Sequence, residues 1–303
     1  MGGVVITYLG IDIGGTKVAF RAEGDGGWSH EAAFRWPPPG DADADLAALG
    51  RAVAAVCDRA RRPFDAVGVA LPAALDAAGR VTAWPNRPQW EGLALRAALG
   101  ELFPGAGVHC ADDGDLAAVA EADRAGCRNV VYLGVGTGVG GGIVVDGRSV
   151  PGPRHGSCEL GHVVADPAGP RCDCGRTGCL QAIASGPATL RRASELRGAP
   201  VDFDELRAGL AADEPWAVSA VRTAAAALAT AAVGLGELVR PERVVVGGGF
   251  AMGLPGFVAE VARHTRSLGR PGFPAPPVEE AALGGLSSLH GALLLAKREG
   301  STC

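Results

Sequence analysis

The chain has 303 residues, 48% of them apolar and 20% charged, with a formal net charge of −5. That is enough for two domains, or one large α/β domain, around a sizeable core, and the acidic balance argues against a nucleic-acid binder, which needs a basic face. No run approaches the ~18 apolar residues of a membrane span, nothing at the start reads as a signal peptide, and the eight cysteines are scattered apart from one tight group, so a cytoplasmic location without membrane attachment or disulfides is expected.

In chain order, "VVITYLGIDIGGTKVAFRAE" predicts a strand, a glycine turn at Gly14-Gly15 and a second strand. "FRWPPPGDADAD" follows as a surface loop with no assigned function. Leu46, Leu49, Val53 and Val56 have helical spacing, and "FDAVGVALP" is a buried strand ended by Pro72. Asp112, Asp113 and Asp115 stand at the start of a helix in "DDGDLAAVAEA". "NVVYLGVGTGVGGGIVVDG" then repeats the strand, glycine turn and strand plan. A loop-rich segment from Pro151 to about Cys179 comes next, followed by an Ala-rich helix from about Trp216 to Val239. The strand and turn of "RVVVGGGFAMG" and a closing helix in "LSSLHGALLLAKRE" complete the chain. The repeated plan predicts two related halves.

The glycine turns decide the nucleotide question. "GTGVGG", Gly136 to Gly141, has the spacing of a dinucleotide fingerprint, but that motif must open a helix. Here Ile143, Val144 and Val145 continue as a strand, so the glycines tip a hairpin. "GGTK" lacks the spacing of a Walker loop. What remains is a phosphate-binding plan in which backbone N–H groups of tight turns surround anionic oxygens. Thr16 and Thr137 add hydroxyls, and Lys17, one of only two lysines with Lys297, adds a point charge. One such turn reads equally as an ordinary hairpin. Two, with a third at Gly247-Gly248-Gly249, favour a nucleotide held between two halves.

"GHVVADPAGPRCDCGRTGCLQ" carries His162, Cys172, Cys174 and Cys179, a four-ligand His-Cys₃ set suited to Zn²⁺ in a closed tetrahedral site. Gly175 and Gly178 let the loop turn tightly. The competing reading is of small cysteines that simply pack, as assigned to Cys57, Cys110 and Cys127. A closed site has a structural role, fixing the loop that bears Glu159 and His162.

Taken together, "GIDIGGTK", "DDGD" with "AAVAEA", "GVGTGVGGG", "CELGH" leading into "CDCGRTGCLQ", and "VVVGGG" resemble the ROK family of sugar kinases in the actin-like ATPase superfamily, over essentially the whole chain. The resemblance implies an α/β fold of two actin-like (ribonuclease H-like) domains with a cleft between them. They would span 1–115 and 116–286, with a helix at about 287–303 returning to the first. It implies ATP-dependent phosphorylation of a primary hydroxyl on a hexose or hexose-like polyol, with Mg²⁺ carried by ATP, structural Zn²⁺ and a homodimer. Asp12 would orient Mg²⁺ through water. Gly14, Gly15, Thr16, Lys17, Gly136, Thr137 and Gly138 would hold the phosphates, and Gly247, Gly248 and Gly249 would border the adenosine. Asp113 would be the base, and Asp112, Glu159, His162, Gln181 and Asn86 the acceptor side, His162 through the nitrogen turned away from zinc. Phosphoryl transfer needs positioning, charge neutralisation and a proton acceptor, which this set supplies.

The departures from the family pattern lie on the acceptor side. Asp112 replaces a usual Asn, Asp115 a second Asn, Gln181 a usual Glu and Ala73 a usual Gly. They imply retained kinase chemistry with an altered acceptor, an amino sugar or a C7-cyclitol of a biosynthetic pathway being alternatives. An ionised Asp112 only accepts hydrogen bonds, so it selects hydroxyl or ammonium donors. Beside Asp113 it is expected to raise one of the two pKa values, either improving the base or leaving it protonated at neutral pH. The acidic run lacks the spacing of a calcium loop, and Asp115 is expected to cap the helix or support the site. A reading of another class is a non-catalytic sugar- or nucleotide-sensing protein. The presence of Asp113, and the lack of a DNA-binding motif before the first strand, weigh against it.

Overall fold

The computed structural model describes residues 6–24, 26–37, 40–152 and 156–300. The chain forms two compact units, Met1–Ala120 with Leu286–Cys303, and Glu121–Gly285.

The first unit opens with β1 (Thr7–Ile13), β2 (Lys17–Gly24) and β3 (Trp28–Arg35), an antiparallel meander. α1 (Ala42–Ala60) begins where the Asp41 side chain accepts the Ala44 N–H at 2.8 Å and ends at a left-handed Arg61. Leu49, Val53 and Val56, at the predicted helical spacing, face the core. After β4 (Ala66–Leu71) come the short hairpin of β5 (Ala74–Leu75) and β6 (Val81–Ala83), then α2 (Leu95–Leu102), β7 (Gly107–Asp112) and α3 (Asp113–Ala125). The sheet order is β3-β2-β1-β4-β7, with β4 parallel to both β1 and β7. β4 is buried along its whole length, as a central parallel strand covered on both faces must be.

The second unit repeats that plan. β8 (Val130–Val135), β9 (Val139–Val145) and β10 (Arg148–Val150) form the meander. The helices α4 (Leu180–Ala184), α5 (Gly186–Arg197), α6 (Phe203–Ala211) and α7 (Pro215–Val239) precede β11 (Arg243–Gly247). α8 (Gly249–Gly253), α9 (Phe257–Ser267) and β12 (Val278–Glu280) follow, giving the order β10-β9-β8-β11-β12 with β8, β11 and β12 parallel. α10 (Ser287–Gly300) then packs on β1 and β4 of the first unit. Gly68 permits this approach, since a Cβ there would stand 1.9 Å from the Ala292 carbonyl oxygen.

Two expectations need correction. α7 is long and apolar enough to cross a membrane by length and composition, where no such run was expected. Its buried residues, among them Ala220, Ala224 and Leu228, lie in the core of the second unit, and it packs on α4, α5, α6 and α9. Its apolar length is that of a core helix. "FRWPPPGDADAD", read as a surface loop, is anchored at several points: Phe34 belongs to β3, Trp36 joins the core, Asp41 caps α1, and Asp45 is wholly buried in its first turn. Pro38 and Pro39 lie outside the described residues.

Candidate active site

In the first unit the parallel strands bring their carboxyl ends to one edge of the sheet, where ligands of open α/β sheets bind. Asp12 pairs in register with Ala70, and Leu71 of the same strand with Asp112, so Asp12 and the Asp112-Asp113 step flank the end of β4. Burial pushes the Asp113 carboxyl up to about 6, helped by the negative charges of Asp12 and Asp115 and opposed by the Gly114 N–H. Burial likewise lifts Asp12 to about 6 against the pull of Lys17. The like-charge repulsion expected from Asp112 thus comes first from Asp12, on a different strand, and then from Asp115.

Asp112 has another task. Its Oδ1 accepts the Gly114 N–H at 3.0 Å and the Asp115 N–H at 3.1 Å, which makes it the N-cap of α3. The cap expected at Asp115 is corrected accordingly. Asp112 is the last strand residue and can reach the second and third helical N–H groups, whereas Asp115, only 8% exposed, already lies inside the first turn.

The Gly14–Gly15 turn, also in this unit, is tightly held. The Gly14 N–H donates to the Lys17 carbonyl at 3.0 Å, and the indole Nε1–H of Trp36 donates to the Gly14 carbonyl at 2.8 Å. Arg87 Nη2 donates to the Gly15 carbonyl at 3.3 Å. Asn86 packs so closely on Gly15 that a Cβ there would meet the Asn86 Cβ at 2.8 Å. Thr16 and Lys17 are exposed beside the turn. The sequence drew attention to none of Trp36, Asp45 and Arg87. An Asp and an Arg so far apart in the chain leave no local pattern, and the available signal is a tryptophan inside a stretch of loop-like composition.

In the second unit the β8–β9 turn closes with the Gly136 N–H donating to Gly138 O at 2.9 Å, while the Gly186 N–H at the start of α5 donates to Gly136 O at 2.9 Å. Gln181 Oε1 accepts the Val139 N–H at 3.2 Å, and a Cβ on Gly138 would lie 2.7 Å from that oxygen. Gln181, assigned to the acceptor side, therefore also braces the glycine turn. Thr137 is exposed at its tip. Gly247 pairs in register with Gly134, and Gly248 has φ +88° with room for no Cβ, which would sit 2.5 Å from Val135 N. The turns of Gly136–Gly138 and Gly247–Gly249 thus share one end of this sheet.

The same unit assembles the cysteine loop. Bridges of Val164 with Cys179 and of Arg171 with Thr177 fold it back on itself, and Gly178 at φ +77° would drive a Cβ to 1.6 Å from Asp166 O. His162 Nδ1 stands 3.7 Å from Cys172 Sγ, Cys174 Sγ stands 3.6 Å from Cys179 Sγ, and the four ligand atoms lie within 4.8 Å of one another. Zn–S bonds of ~2.3 Å and Zn–N bonds of ~2.0 Å in a tetrahedron give edges of roughly 3.5–3.8 Å, so the group fits Zn²⁺ before any ion is added. With Nδ1 toward the thiols, Nε2 is the nitrogen left for another partner. Glu159 is exposed and directly precedes a 3₁₀ turn, Leu160–His162.

The profile of the ROK family matches residues 8–299. A kanosamine kinase of Amycolatopsis mediterranei (strain S699) is 53% identical over 289 residues, covering 95% of each chain. The crystal structure of a ROK hexokinase from Thermus thermophilus superposes with a TM-score of 0.87 at 33% identity, covering 98% of this chain and 100% of that one. A ROK family glucokinase from Streptomyces griseus, in complex with glucose and AMPPNP, superposes with a TM-score of 0.80 at 26% identity, over 96% of this chain and 99% of that one. The repeated sheet order and these superpositions bear out the α/β, actin-like fold class.

Proposed function

The chain belongs to the ROK family, and from that premise we propose that this sugar kinase phosphorylates a hydroxyl of an amino sugar of the kanosamine type, with ATP as donor. The observation that carries the acceptor class is the 53% identity to a kanosamine kinase over 95% of both chains. The carboxylate at position 112 agrees with it, because an ionised carboxylate attracts an ammonium group that an amide would hold only weakly.

In this reading Asp113 takes the proton of the attacking hydroxyl. Its carboxyl, raised to about 6, is ionised at neutral pH yet far more basic than an ordinary aspartate, which suits a general base. Mg²⁺ supplies neutralisation of phosphate charge when it arrives with ATP, and Asp12, half-buried beside Lys17, is the residue that would hold it through water. Gly14 to Lys17 and Gly136 to Gly138 offer backbone N–H groups, the hydroxyls of Thr16 and Thr137 and the Lys17 ammonium to the phosphates. Gly247 to Gly249 border the adenosine. Glu159, His162 Nε2, Gln181 and Asn86 join Asp112 in orienting the acceptor, with Zn²⁺ holding the loop of the first two in place. The working form is a cytoplasmic homodimer.

ADP release should be followed with ATP, Mg²⁺ and kanosamine, glucose, N-acetylmannosamine or a C7-cyclitol. Kanosamine should exceed glucose in kcat/KM by about tenfold or more, as expected where an ammonium replaces a hydroxyl as the donor to a carboxylate. Higher turnover with glucose would sink the acceptor assignment. Sugar binding with no turnover of any acceptor would favour a sensor.

A further inference from the structure

We propose that Trp36, Arg87 and Asp45 form a positioning network that aims the peptide N–H groups of the Gly14–Gly15 turn and so sets the affinity for nucleotide phosphate. The inference rests on the reading of that turn as a phosphate site. Two successive carbonyls of the turn are claimed by buried side chains: Gly14 O takes the Trp36 Nε1–H at 2.8 Å, and Gly15 O takes the Arg87 Nη2–H at 3.3 Å. The next carbonyl, Thr16 O, takes the Trp36 backbone N–H at 3.2 Å. In a trans peptide the C=O and the following N–H point in opposite directions. Holding the carbonyls of Gly14 and Gly15 on the core side therefore turns the Gly15 and Thr16 N–H groups away from it, side by side. Adjacent N–H groups presented in this way form an anion nest, and Lys17 is exposed next to it. Without those donors, two glycines in succession leave the peptide planes free to rotate.

The donors are themselves fixed from behind. Asp45, 0% exposed, accepts Arg87 Nη1–H at 2.5 Å, Trp90 Nε1–H at 2.8 Å and Gln89 Nε2–H at 3.1 Å, all on Oδ2. Arg87, 5% exposed, lies with its guanidinium 4.0 Å from the centre of the Trp36 ring, so one contact locks both donors. A buried ion pair is a poor source of stability, since apolar side chains of the same volume pack as well without desolvation. Apolar side chains could not donate to Gly15 O, and that is the work that requires Arg87.

Trp36→Phe keeps the ring and removes its N–H, and Arg87→Lys keeps a charge for Asp45 but loses the planar fork. Each should raise KM for ATP about 5- to 10-fold, the worth of one hydrogen bond, and weaken Mg·ADP binding measured calorimetrically without acceptor. KM for the amino sugar should stay within about twofold by the same reasoning. Leu99→Ala, a cavity at a buried core position that donates to none of these groups, should lower the melting temperature without changing KM for ATP. Should Trp36→Phe fail to fold, Arg87→Lys carries the comparison. Unchanged ATP and ADP affinity in the folded variants, or KM values for both substrates rising together, overturns the inference and leaves the kinase assignment standing. Failure of the wild-type protein to bind Mg·ADP at all overturns the phosphate reading of the turn and the inference with it.

Discussion

The Gly14–Gly15 turn hangs on an indole and a guanidinium rooted in a buried aspartate, whereas the Gly136–Gly138 turn, at the equivalent place in the other sheet, leans on the Gln181 amide and the backbone N–H of Gly186. The two units share one strand order. They differ in what surrounds it. The first gathers buried charge at the carboxyl ends of its strands, with Asp12 and Asp113 both lifted to about 6. The second places there close backbone contacts and, on its own loop, a metal-ligand cluster; a Cβ on Gly161 would stand 1.9 Å from Val139 O. A common backbone plan thus specifies where the turns lie, and the side chains behind them decide whether the unit gathers buried carboxylates or close backbone packing.

The largest test of that contrast is Asp113→Asn, expected to lower kcat by about 10²–10⁴-fold, the range for removing a general base. Zinc content, a property of the other unit, should be unchanged by metal analysis. Comparable loss from a substitution confined to the second unit would erase the distinction. Cys179→Ser, or treatment with a strong zinc chelator, should abolish zinc and lower kcat/KM for the acceptor by about tenfold or more, as when a site loses its supporting shell. Mg·ADP binding should persist, because Asp12 and the Gly14–Gly15 turn do not depend on that loop. Gly161→Ala should lower stability by about 1–3 kcal/mol through overpacking, seen in denaturant midpoints, with the Asp113 pKa unmoved.

The acid–base character of the first unit predicts two pH effects. A base at Asp113, as proposed, works when ionised, so kcat/KM should rise with pH through about 6 and then level off. For stability the sign is reversed. The folded value of Asp113 lies above the ordinary 3.8, so the native state holds an extra proton between those two values, and stability falls as pH rises through that window. Asp113→Asn removes that penalty and should be the more stable protein above pH ~6, by about 1–2 kcal/mol after allowance for partial exposure. Equal denaturant midpoints at pH 7.5 would contradict it. The smallest stability effect belongs to Asp112→Asn, because asparagine caps a helix as well as aspartate does. The expected change is below ~0.5 kcal/mol, while the preference for the amino sugar over glucose narrows.

Much of this protein could be read along the chain. His162, Cys172, Cys174 and Cys179 lie within one loop, so their chemistry was visible before the loop folded, and the structure brings their ligand atoms together. The two hairpins carry their glycines in the same places, which is why the relation between the two halves was legible, while their sheet order came from the structure. The role of Asp112 was not. The acidic run showed three carboxylates, and only the point at which strand became helix determined which of them capped α3. The stretch around Trp36 was misread because its prolines and acids have the composition of a loop, while the residues that bury it arrive from the segment at 84–90.

By itself, then, the sequence determined what depends on neighbours in the chain: the metal-ligand group, the glycine turns and the family. Tertiary structure alone decided how basic Asp113 is and which groups hold the Gly14–Gly15 turn. Both are consequences of burial and of charge brought close from distant segments. Desolvation and Coulomb interaction depend on separation in space, for which separation along the chain is no guide.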